Sequence, residues 1–136
     1  MTRKSLFKNL NQLCKDLDYK YDINSGGCCF VAAVIAEQLE NYNIPFKLIH
    51  YELYSCHYAI RVNDRIINRC DCKYKEIIFD DYLSSDEIYD TYYDEDWNHT
   101  YNKRWNLIVK TKIKSLFKKY ENRGKRLCNG RCISRQ

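Results

Sequence analysis

The chain has 136 residues and a formal net charge of +5, with 45% hydrophobic residues and 13 tyrosines. That length suits one domain with its own core, and the apolar and aromatic content excludes a disordered chain. No apolar run approaches the roughly 18 residues of a membrane span, and the start MTRKSLFKNLNQ lacks the apolar centre of a signal peptide, which predicts a cytoplasmic protein with no membrane partner.

Residues 4 to 19 place Leu6, Phe7, Leu10, Leu13, Cys14 and Leu17 at the spacing of one amphipathic helix. DINSGG, residues 22 to 27, supplies cap residues and two of the chain's four glycines, a helix-start signal. A second helix is predicted from Cys28 to Tyr42, stopped by Asn43-Ile44-Pro45. Residues 46 to 54, 57 to 62 and 65 to 70 read as strands, with Asn63-Asp64 as a two-residue hairpin turn.

The segment from Lys75 to Trp97 carries nine acidic residues against one lysine, and residues 80 to 100 read as a long loop or short helix. Trp105, Leu107 and Val109 alternate as in a strand, and Ile113, Leu116, Phe117 and Tyr120 suit a final helix. From Lys110 onward ten Lys or Arg face Glu121 alone. That end reads as a solvated face or as a site for nucleic acid or another acidic partner. Together these elements predict an α+β fold, with helices at both ends of a small antiparallel sheet. Residues 1 to 122 form the domain and 123 to 136 a basic, cysteine-containing tail.

In a cytoplasmic setting the eight cysteines point to reduced thiols, metal ligands or a nucleophile rather than disulfides. Cys28 shares a helical stripe with Val31, Ala32, Ile35 and Leu39, which predicts that it faces the sheet. Cys29 shares one with Ala33, Ala36 and Glu40, directed outward or toward a neighbour. A thiol at the first turn of a helix meets free N–H groups and partial positive charge, which favour its thiolate and can hold an oxyanion. Gly26 and Gly27 allow a tight turn beside it. Burial as ordinary structural cysteines is the alternative for both thiols.

Of the three histidines, His50 lies mid-strand and His99 follows the acidic run, whereas His57 opens the strand HYAIRV. A two-residue turn pairs Val62 with Arg65 and makes Asn68 a diagonal neighbour of His57, where a side-chain amide can orient the imidazole. A slip of one residue places Asp71 opposite His57 instead. The hairpin leaves both open, with Asn68 favoured.

GGCCFVA, LENYNIPF and HYAIRVNDRIIN, in that order, resemble the core of the papain-like and transglutaminase-like superfamily. The resemblance spans roughly residues 24 to 71 and implies a nucleophile helix packed on a small antiparallel sheet. It implies Cys28 as nucleophile, His57 as base and Asn68 as the orienting residue of a thiol-dependent acyl transfer from an amide. A cysteine peptidase, deamidase or transglutaminase would each fit, acting on a protein or peptide without a cofactor. Arylamine acetyltransferases, with G-G-x-C, would select Cys29, but the distance to Ile44 fits Cys28 better. The Lys-, Asn-, Ile- and Tyr-rich composition resembles small proteins of AT-rich phages or large DNA viruses, for which the compartment would be the host cytoplasm.

Two other functions compete. Cys70-x-Cys72 and Cys128-x3-Cys132 supply four thiols that zinc accepts, giving a metal-stapled binding module whose basic tail engages nucleic acid. A catalytically inactive papain-like domain used for binding is the other.

Overall fold

The computed structural model describes residues 2–51, 57–69, 76–78, 83–94 and 105–128, with side chains for all of these except 76–78 and 122–128. Helix α1 spans Arg3–Tyr21 and α2 Cys28–Asn41. Strands β1 (Lys47–Tyr51), β2 (His57–Val62), β3 (Arg65–Ile67) and β4 (Glu76–Ile78) follow, and then helices α3 (Ser85–Asp94) and α4 (Asn106–Cys128). The architecture is α+β. The strands form one antiparallel sheet in the order β3-β2-β1-β4.

Local chemistry sets the helix ends. The Thr2 hydroxyl accepts from Ser5 N–H at 3.1 Å and starts α1, while Asp22 ends it in the left-handed region (φ 55°) with its N–H on the Asp18 carbonyl. Helix α2 closes in a Schellman arrangement: Asn43 (φ 55°) donates to the Glu40 carbonyl and Ile44 to that of Leu39. Ile44 and Leu39 are both buried, which adds the hydrophobic contact typical of that motif, and Pro45 prevents continuation. Ser84 and Glu87 cap α3 reciprocally, the Ser84 hydroxyl accepting from Glu87 N–H and the carboxylate accepting from Ser84 N–H.

The core centres on α2, which is buried on nearly every side. Sheet alternation assigns Leu48, Tyr58, Ile60, Val62 and Ile67 to the face that packs into this core with α2. Ile49, Tyr51 and Ala59 form a separate cluster on the far face with Ile66. On its other flanks α2 meets α3 through Phe30 against Tyr89 and Tyr92, and α4 through Tyr42 stacked on Phe117. Helix α1 contributes Leu6, Phe7, Leu10, Cys14 and Leu17 to the same core.

Two expectations need correction. Residues 105 to 109 are not a strand: Asn106 onward belongs to α4, whose buried stripe Val109, Ile113 and Phe117 repeats every four residues. The sheet also has a fourth strand, β4, on the β1 edge. Of the two forms expected for the acidic region, the short helix is present, as the ten-residue α3. Helix α4 runs unbroken across residue 122 to Cys128. No helix among the described residues is long and apolar enough to cross a membrane.

Candidate functional site around Cys28, His57 and Asn68

The loop before α2 is built from short-range bonds. Asp22 turns the chain, and Ser25 donates to it twice, from N–H to the carbonyl (3.1 Å) and from the hydroxyl to the carboxylate (2.8 Å). Asn24 N–H donates to the Asp18 carboxylate at 2.9 Å, tying the loop to α1. Gly26 has φ 98°, a conformation in which a Cβ would clash. Gly27 is the N-cap, and its carbonyl accepts the first helical bond, from Val31 N–H.

Cys28 is thus the first residue of α2, with no exposed surface (0%). Its neighbour Cys29 points to α3, where its S–H lies 3.5 Å from the Ile88 carbonyl. The two adjacent thiols therefore have different surroundings. Cys14, inside the α1 stripe, is pushed up to about 12 by burial, with the Asp18 charge adding to the effect, and is inert as a nucleophile.

His57, the first residue of β2, is 8% exposed. Its Nε2 lies 2.7 Å from the main-chain carbonyl of Asn68. A carbonyl oxygen only accepts, so Nε2 carries a proton and, in the neutral ring, Nδ1 holds the free lone pair. Burial lowers the imidazole pKa below its ordinary value, while the Asn68 carbonyl and the Asp18 charge act in the opposite sense. The ring leans on Tyr51, 5.5 Å between centroids, on the sheet face that carries Ala59.

The β2–β3 register is Val62↔Arg65, Arg61↔Ile66 and Ile60↔Ile67, as the two-residue Asn63-Asp64 turn predicts. The slipped register does not occur in these pairs, and Asp71 lies outside the described residues. Asn68 follows β3 with φ 62°, a left-handed conformation that asparagine tolerates better than most residues. That turn directs its carbonyl to His57. The side chain does something else: its amide pairs reciprocally with that of Asn24, at 3.0 and 3.3 Å. Asn68 N–H donates to the Asn11 side chain at 2.9 Å, and the Asn11 amide donates to the Ile66 carbonyl at 3.3 Å.

Three asparagines therefore fix one carbonyl. Sequence reasoning missed Asn11, Asn24 and Asp18; the only signal was a polar residue facing the sheet from α1 and an Asx-rich loop. The structure joins His57 to Asn68 directly, and Asn68 through Asn24 to the loop that enters Cys28 four residues later. Elsewhere, His50 stacks on Tyr58 at 4.6 Å, and His99 lies outside the described residues. Cys70, Cys72 and Cys132 also lie outside them, as does the Cys128 side chain; among the described residues no three potential metal ligands converge. Compared with protein-family models, curated proteins and solved structures, the chain matches none.

Proposed function

We propose that the protein is a thiol-dependent acyl-transfer enzyme acting on an amide bond of a protein or peptide. The observation that carries this reading is the fixed pose of His57. Its Nε2–H is held by a main-chain carbonyl that three side-chain amides immobilise, and the same network reaches Asn24, in the loop four residues ahead of Cys28. In this scheme Nδ1 takes the Cys28 thiol proton, and the sulfur attacks the amide carbonyl carbon. N–H groups at the start of α2 hold the oxyanion. The C–N bond breaks as Nδ1–H protonates the leaving amine, leaving a thioester. Water or a second amine, deprotonated by Nδ1, then releases the acyl group and restores the thiol. Asn68 serves as the third member through its carbonyl, and its side chain braces the loop. With Cys28 fully buried in the α2 core and His57 on the opposite face of the sheet, beside Tyr51 and Ala59, turnover includes a rearrangement that exposes the sulfur and brings the imidazole to it.

The burial of Cys28 is also what favours a second reading, a domain of this architecture used for binding without catalysis. In it the asparagine cluster is a structural tie, and the basic C-terminal end is the contact for nucleic acid or an acidic partner. Iodoacetamide labelling of the folded protein at about pH 6, with mass-spectrometric site assignment, separates the two. The enzyme reading expects Cys28 to label first and His57→Ala to slow it at least about tenfold, the loss in thiolate that a rise of about one pKa unit gives. Labelling that begins only on unfolding, or a rate indifferent to His57→Ala, leaves the binding reading.

A further inference from the structure

Helices α1 and α4 enclose an open groove of about 550 Å³, with Leu13, Leu107, Ile108, Leu116, Lys112 and Lys119 among its walls. No carboxylate lines it, and neither lysine has an ion-pair partner among the described residues. Helix α3 presents the opposite chemistry. Asp86, Glu87, Asp90 and Asp94 are exposed on it, and it contains no cation. Large exposed hydrophobics among the described residues are Tyr19, Tyr93 and Leu107. One of them, Leu107 at 75% exposure, opens the basic groove; another, Tyr93 at 59%, stands between the carboxylates of α3.

The dimensions agree. At the helical rise of about 1.5 Å per residue, Lys112 and Lys119 are about 10 Å apart along α4, and Asp86 and Asp94 about 12 Å apart along α3. We propose that the α1–α4 groove of one chain receives α3 of a second copy, with Tyr93 entering beside Leu107 and the carboxylates meeting Lys112 and Lys119. The two surfaces differ, so the contact is heterologous and adds chains head to tail unless the ring closes. One helix in one groove is smaller than a standard stable interface, and exposed ion pairs are screened by salt, so the association is weak and ionic-strength dependent. The inference does not rest on the acyl-transfer reading, since neither surface includes Cys28, His57 or Asn68.

Sedimentation equilibrium on the full, reduced chain tests it, at protein concentrations up to about 1 mM and in about 20 mM and about 500 mM salt. In low salt the weight-average mass should rise with concentration above the 16.5 kDa of one chain; in high salt it should return toward that value. Two charge reversals, Lys112→Glu/Lys119→Glu and Asp90→Lys/Asp94→Lys, touch only exposed side chains. Each alone should sediment as a monomer, and an equimolar mixture should associate again, because the intact groove of one variant then meets the intact α3 of the other. A wild-type chain that stays monomeric in low salt overturns the proposal, whatever else binds the groove. So does association that survives either reversal or ignores salt.

Discussion

Asn68 holds His57 with its main-chain carbonyl, 2.7 Å from Nε2, while its side-chain amide is engaged by Asn24. The residue type at position 68 is therefore required for its backbone conformation and for the brace to the α2 loop, and not for a side-chain bond to the imidazole.

Substitutions at Asn68 should separate these roles. Asn68→Gly keeps the carbonyl and the left-handed conformation and loses only the amide pair, a cost of about 1 kcal/mol. Asn68→Ala loses the pair and also lacks asparagine's tolerance of the left-handed conformation at φ 62°, which should bring the total to about 2–3 kcal/mol. Urea denaturation of both variants checks the order. Equal losses would mean that the turn is not the source of the preference.

Stability should fall on acidification as His57 is driven to take a proton. Burial depresses its folded pKa below the unfolded value. The unfolded chain therefore binds more protons as pH falls below about 6.5, and folding weakens until the folded pKa is passed. The slope from this one group is at most about 1.4 kcal/mol per pH unit. Thermal melts between about pH 5 and 8 should show this decline, with a shallower one in His57→Gln; parallel curves would remove His57 as its source.

The native thiols should differ sharply. Cys14, raised to about 12, and Cys29, facing the Ile88 carbonyl, should resist a disulfide reagent at about pH 8 until the chain unfolds. Replacing Cys14 with Ala deletes a buried sulfur and should cost roughly 1–2 kcal/mol without changing the labelling of Cys28. Rapid native-state modification of Cys14 would contradict its burial.

Asn11 acts as a one-residue strand on the β3 edge, accepting from Asn68 N–H and donating to the Ile66 carbonyl. Asn11→Asp keeps the acceptor and removes the donor. Asn11→Leu removes both and leaves two strand-edge groups to find other partners. Losses of about 1 and about 2 kcal/mol are expected. If Asn11→Leu is neutral in urea denaturation, Asn68 is held by Asn24 alone.

The β2–β3 hairpin was legible in the sequence because Asn63-Asp64 fixes a two-residue turn, and one turn length sets every pair that follows. The α2 boundaries were legible for the same local reasons, glycines before and Asn-Ile-Pro after. The start of α4 was not. Trp105, Leu107 and Val109 alternate, but Leu107 is mostly solvent-exposed, so the alternation reflects no buried face. Only the longer stripe through Ile113 and Phe117 shows the true period. Strand β4 has three residues, too few for a pattern. The bonds of Asn11 and Asn24 to Asn68 span 57 and 44 residues, and nothing local announces them.

Helix α2 has almost no face for water: eleven of its fourteen residues are buried, Gln38 among them. Such a segment has no stable existence before its neighbours arrive, because sheet, α3 and α4 each cover a different side. The domain should therefore fold as one cooperative unit, with no half that survives the loss of the other. A chain ended after α3 would leave the α4 side of that apolar rod uncovered, and its expected fate is aggregation rather than a smaller folded protein.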